Sequence, residues 1–225
     1  MRLSLGSSRT RRAKYVGVAV VMMMTSLLST AHAVSVAVPN PSFESPNAAG
    51  GPNGGQATDW TANGGAGTGG VSHFSIGFTA AATGVQYHWL NLPDFLGPNP
   101  SITQSNAALI GNAQAGTYTL TVAGGRRSNN ATTDGSYVIE LLAGGSVIGS
   151  QTVVNPSTAY ALDSWNDITA VAVVGASDPA VGQDLTIRLS VYNGTGGIKS
   201  QGQFDNVRLD FVALVPVELS RFSIE

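Results

Sequence analysis

"AGTYTLTVAGGRR", residues 115–127, decides the fold class. Tyr118, Leu120 and Val122 alternate with Thr117, Thr119 and Thr121. A period of two puts the apolar side chains on one face and the hydroxyls on the other, the pattern of a half-buried strand in an antiparallel sheet. Similar runs follow at 137–143, 146–154, 165–174, 184–192 and 204–212, separated by Gly, Asn, Asp and Pro clusters. Gly144-Gly145 between two of them is a two-residue hairpin signal. Shorter candidates lie at 34–38, 57–60, 71–78, 84–90 and 101–105. No helical period of useful length occurs beyond the first 33 residues. Nine or ten short strands without helices imply an all-β chain folded as an antiparallel β-sandwich of jelly-roll type.

Composition agrees. The 225 residues include 28 glycines, 10 prolines and no cysteine, and only 11% are charged. Residues 1–33 read as a secretory signal peptide: Arg2, Arg9, Arg11, Arg12 and Lys14 precede an apolar run at 15–28, and Ala31-His32-Ala33 closes it. That run is too short to span hydrocarbon, which takes about 20 residues, so the mature chain is expected to be secreted, outside the cell or in the periplasm, with no transmembrane helix. One jelly-roll domain is expected at 34–213 and a tail at 214–225. Five of the 11 basic residues leave with the leader, so 6 face 13 acidic residues and the mature charge is −7. Nucleic acid and anionic membrane demand a basic face that this chain cannot build. Without cysteine, stability rests on packing or on a metal.

"FDNVRLDF", residues 204–211, raises a difficulty. Strict alternation puts Asp205 on one face with Val207, Leu209 and Phe211, so a carboxylate leads a core-facing row. An unpaired carboxylate there costs several kcal/mol. A carboxylate capped by backbone N–H groups is the bland solution; a cation is the other.

The densest aromatic patch is "GVQYHWLNLPDFLGP", residues 84–98, with Tyr87, His88, Trp89 and Phe95. Alternation sets Tyr87 and Trp89 on one face and His88 on the other. Exposed rings would form a platform for sugars or for an indole; buried ones would fill the core. Trp60 is expected in the core or a cleft wall, His73 and His88 at the surface or rim, and Arg126 and Arg127 at a strand end where they could grip a ligand. Gly65, Gly67 and Gly70 match G-x-G-x-x-G without the βαβ context that would make it a nucleotide site. The domain's only glutamates are Glu44 and Glu140, which gives glycoside hydrolysis little support, and no G-x-S-x-G elbow is present. Asn130 and Asn193 carry N-x-T acceptor patterns.

Several stretches together, "NPSFESP" at 40–46, "ITQS" at 102–105, "AGTYTLTVAGGRR", "YVIELLAGG" at 137–145, "GQDLTIRLS" at 182–190 and "QFDNVRLDF" at 203–211, resemble the galactose-binding-like jelly roll of carbohydrate-binding modules and of exported proteins with PEP-CTERM tails. The tail lacks the PEP-CTERM signal. The opening and closing motifs also resemble Stig cyclases, calcium-dependent enzymes that rearrange and cyclise isoprenylated indoles. The resemblance implies a structural calcium held by Glu44 and Asp205. It implies either a glycan-binding module, with Tyr87, Trp89, His88 and Arg126 as ligand contacts, or a cyclase using Asp205, Tyr87 and Tyr137, with Asp205 as the acid. A carboxylate clamped on calcium is a poor proton donor, so the two roles of Asp205 compete. Glycan binding is the expected function, the cyclase the second reading and a structural matrix component the third.

Overall fold

The computed structural model describes residues 32–51, 55–63, 69–92, 100–104, 110–129, 135–192 and 200–214. All belong to the compact unit Ala31–Glu225. The expected leader up to residue 31, the tail beyond 214, Phe95, Gly65, Gly67 and the acceptors Asn130 and Asn193 lie outside the described residues.

Eleven strands follow in order: β1 Val34–Val36, β2 Thr61–Asn63, β3 Gly69–His73, β4 Gln86–Leu92, β5 Ser101–Gln104, β6 Gly116–Arg126, β7 Ser136–Ala143, β8 Ser146–Val154, β9 Ser164–Val174, β10 Leu185–Tyr192 and β11 Ser200–Ala213. They form two antiparallel sheets. One runs β3-β4-β11-β6-β9, with β1 also on β11; the other runs β2-β5-β10-β7-β8. A helical turn, Pro156–Ala159, interrupts the strands. Among the described residues no helix is long and apolar enough to cross a membrane.

The core between the sheets takes the residues that the alternation selects. Tyr118, Leu120 and Val122 of β6 pack inward with Ile139 and Leu141 of β7 and Ile187 and Leu189 of β10. The β7–β8 hairpin turns through Gly144 and Gly145 at φ 55° and 84°, values that a side chain resists. The strand expected at 57–60 begins instead at Thr61, because Asp59 takes the left-handed region at φ 67° and turns the chain, leaving Trp60 in the core.

Strand β11 departs from strict alternation. Asp205 pairs with Ala123 and Arg208 with Thr121, so three steps on β11 match two on β6, a β-bulge with Asn206 at φ 48°. Phe204 is opposite Gly124 and Leu209 opposite Leu120, and both face the core. Asp205 shares the other face with Gln203 and Gln201. The expectation that Asp205 heads the row of Val207, Leu209 and Phe211 is therefore corrected: one inserted residue resets the parity. The backbone N–H of Val207 at the bulge donates to the Pro41 carbonyl at 2.8 Å, tying the first segment to the last strand.

Candidate functional site

The outer face of the β3-β4-β11-β6-β9 sheet carries the chemistry. Pairing of Ser72 with Tyr87, Trp89 with Gln203 and Asn91 with Gln201 sets these residues side by side on that face. The segment 74–85 crosses it. Phe78 stacks on Trp165 at 4.3 Å between ring centroids and meets the edge of Tyr87 at 5.2 Å. Trp165 Nε1–H donates to the Ala80 carbonyl at 3.0 Å, and Asp163 accepts from Thr79 N–H at 2.8 Å and from its hydroxyl at 2.9 Å. Gly77 lets this segment approach β6: the Ser128 N–H donates to its carbonyl at 2.8 Å, and a Cβ there would collide with Arg127 Nε. Tyr87, Gln203 and Asp205 are buried beneath it.

Beside the segment a cleft of about 200 Å³ opens, lined by Ser72, Ile76, Tyr87, Trp89, Asn91, Arg127 and Gln201. A wider depression of about 470 Å³ at the opposite hairpin, around Gly144, Val147, Asp178 and Gln183, has neither an aromatic ring nor a cationic side chain among its described lining residues. The cleft is therefore the place where aromatic surface and polar donors converge, the composition of a small-molecule site.

A hydrogen-bonded row fixes its polar side. Arg127 can only donate, so Gln201 turns its carbonyl to Nη1 at 2.9 Å. The same oxygen accepts from Gln203 Nε2 at 3.0 Å, which leaves the Gln203 oxygen facing the Tyr137 hydroxyl at 3.3 Å. That hydroxyl also lies 2.9 Å from the Gly125 carbonyl and 3.2 Å from the Gln201 carbonyl. Burial pushes the Tyr137 phenol well above its usual range. The Tyr87 phenol is likewise raised by burial, with opposing contributions from a hydrogen bond to Ser72 and from the Arg127 charge.

Tyr87 and Trp89 thus line the cleft, as the alternation of β4 implies. His88 does not. It points inward against Phe43, 5.3 Å between ring centroids, and is fully buried; strand parity that exposes its neighbours forces it into the core, which corrects both its rim position and its role as a ligand contact. Arg126 likewise donates to the Tyr160 carbonyl at 2.6 Å and does not line the cleft, whereas Arg127 does. Tyr137 sits behind the cleft, reaching it only through Gln203 and Gln201. Ser72, Asn91, Gln201 and Gln203 escape the sequence reading, although Gln201 and Gln203 stand at period two from Asp205 and share its face.

Glu44, at the surface, and Asp205, buried, both hold the end of the same segment. "NPSFESP" is folded around Asn40, whose side chain donates to the carbonyls of Ser45 at 2.7 Å and Thr58 at 3.0 Å. Phe43 enters the core, and the Glu44 carboxylate accepts from the N–H groups of Val85 at 2.9 Å and Gln86 at 3.0 Å. Asp205 accepts from Thr83 N–H at 2.9 Å and Asn206 N–H at 2.6 Å. Desolvation, with a smaller push from the Glu44 charge, raises the Asp205 carboxyl from 3.8 to about 7 against those hydrogen bonds. The ion pairs among the described residues are Arg188–Glu140 and Arg208–Asp167, so neither converging carboxylate has a basic partner there. Asp205 is not part of the cleft lining.

No curated protein matches the chain. Among solved structures, a Stig cyclase, Fisc, from Fischerella sp. TAU in complex with (3Z)-3-(1-methyl-2-pyrrolidinylidene)-3H-indole superposes with a TM-score of 0.67 at 24% identity, covering 81% of this chain and 100% of that one. A cyclase from the same source in complex with 4-(1H-indol-3-yl)butan-2-one gives 0.63 at 23%, with the same coverage. An α-L-arabinofuranosidase gives 0.56 at 14%, covering 79% of this chain and 26% of that enzyme. These likenesses establish the fold. A family model described as HpiC1-like, HpiC1 cyclase, matches residues 34–210 and overturns the expectation of a glycan-binding protein in favour of the cyclase reading. The chain belongs to the HpiC1-like cyclase family.

Proposed function

We propose that this protein is an exported cyclase that rearranges and closes an isoprenylated indole in the cleft of Tyr87, Trp89, Asn91 and Arg127. The observation that carries the reading is the family match across residues 34–210. It is supported by the cleft's aromatic floor and by the indole ligands of two structural neighbours. The half-buried Trp89 ring offers π-surface to an indole, Tyr87 is buried behind it in the cleft wall, and Asn91, Ser72 and Arg127 supply donors that fix its orientation. Holding the isoprenyl chain folded over the indole removes the entropy of reaching a reactive conformer, which is where much of the acceleration of a unimolecular closure originates.

In this reading the Tyr87 hydroxyl, beside Ser72 and the Arg127 charge, donates a hydrogen bond to an acceptor on the substrate and holds it in the reactive orientation. Asp205 takes the other of its two competing roles. It and Glu44 fit a hard, oxygen-preferring cation: two carboxylates converge without a basic partner, and burial penalises the ionised Asp205 unless a cation compensates. Calcium there would neutralise both and pin the segment 79–85 that borders the cleft.

Incubation of the protein with a 3-isoprenylated indole and calcium tests the reading by mass spectrometry. Cyclisation is an isomerisation, so the expected product keeps the substrate's mass and changes retention time. Tyr87→Phe is expected to lower kcat about 100-fold with little change in KM. Absence of any isomeric product from the folded, calcium-loaded protein across indole substrates overturns it.

A further inference from the structure

The described residues include four arginines and no lysine. Arg188 pairs with Glu140 at 2.6 Å and Arg208 with Asp167 at 2.6 Å, so both of these charges are neutralised. Arg126 is committed to the Tyr160 carbonyl at 2.6 Å. Arg127 differs. It lines the cleft and its Nη1 donates to the neutral Gln201 amide at 2.9 Å; like that of Arg126, its Nε–H is enclosed without an acceptor, and no carboxylate lies within ion-pair distance among the described residues. Among the described residues no carboxylate lines the cleft.

The guanidinium is also held in position. Gln201, Gln203 and the Tyr137 hydroxyl form a chain of hydrogen bonds running back into the core, and the close approach of Gly77 closes the other side. A fixed, partly desolvated cation with a neutral partner is an incomplete pair, and the missing half is an acceptor carried by the ligand.

We propose that Arg127 is a specificity determinant that selects, within the indole class, ligands bearing an anionic oxygen group, a carboxylate at the end of a short chain, with the ring on Trp89. This rests on the cyclase reading only for the indole; the acceptor follows from the cleft. An ammonium-bearing ligand is disfavoured, because it would meet an unneutralised like charge in a cleft whose described lining residues offer it no carboxylate.

The test is a matched series of 3-substituted indoles with equal chain length, ending in carboxylate, methyl ketone, methyl or ammonium, titrated into the full mature chain with calcium and followed by tryptophan fluorescence and calorimetry. The expected order is carboxylate, ketone, methyl, ammonium, with the carboxylate about tenfold or more tighter than the methyl compound. Arg127→Met is expected to erase that preference, and Arg127→Lys to retain part of it. The wild-type ranking needs no variant, so a failure of Arg127→Met to fold leaves it decisive. Equal affinity for all four compounds, or an unchanged ranking in folded Arg127→Met, overturns the selectivity and leaves the cyclase reading standing. Binding by none of the four overturns both the placement of the ligand in this cleft and the selectivity built on it.

Discussion

His88 is fully buried against Phe43, with neither ring nitrogen partnered. Burial lowers its pKa from 6.5 to about 3, so the folded protein holds the neutral ring. The sign follows: the unfolded chain binds the proton first, so stability is full above about 6.5 and is lost progressively as pH falls toward about 3. Between pH 7 and 5 the loss is on the order of 2 kcal/mol. His88→Phe keeps a ring beside Phe43 and removes two unsatisfied polar atoms, so it is expected to melt at or above the wild-type temperature at pH 7 and to lose less stability at pH 5. Thermal melts of both proteins at saturating calcium check this; parallel pH profiles would refute it. The sequence could place His88 opposite Tyr87 and Trp89 but not say which face was wet, because that depends on the segment laid over the sheet from elsewhere in the chain.

At the scale of elements, what the sequence disclosed was period and punctuation. The Thr117-to-Val122 alternation, the Gly144-Gly145 turn and the order of the long strands emerge as read, because each is a local pattern enforced by the pleat. Two features were not legible. The bulge in β11 inserts a single residue, and "FDNVRLDF" supports either parity until its partner strand is known. The segment 74–85 is pinned by contacts that local propensity does not encode, Phe78 with Trp165 and Thr79 with Asp163. Gly125 of β6 makes room for this strap: a Cβ there would lie 2.6 Å from Trp165 Cζ3 and 2.8 Å from Phe78 Cζ. Gly125→Ala is expected to unseat the Phe78–Trp165 stack, cost about 1–3 kcal/mol and increase proteolytic cleavage within 74–85. Limited proteolysis with mass mapping measures it; cleavage unchanged from wild type would mean the strap is held independently of that stack.

At the scale of the whole molecule, the Glu44 and Asp205 pair joins the segment after the first strand to the last strand. The Asp205 carboxyl, raised to about 7, stabilises the cation-free fold at low pH and stops doing so as pH rises through that value, because the folded state must then hold a buried negative charge. The penalty approaches the order of 4 kcal/mol above pH 7. A bound cation removes it. The melting temperature with calcium is therefore expected to exceed that with EDTA by a margin that widens from pH 5 to pH 8, and Asp205→Asn is expected to flatten the difference. Melts that coincide with and without chelator across that range would eliminate the cation.

The extra residue at Asn206 splits β11 into two halves with separate obligations. Upstream, Gln201 answers to whatever enters from solvent, with Gln203 behind it and Phe204 in the interior; downstream, Val207 and Leu209 answer only to the sandwich interior. A lineage altering its ligand can change Gln201 without repacking Phe204, Val207 or Leu209, so that one position offers a route to new selectivity at little risk to folding, whereas deletion of Asn206 would put one half of the strand on the wrong parity.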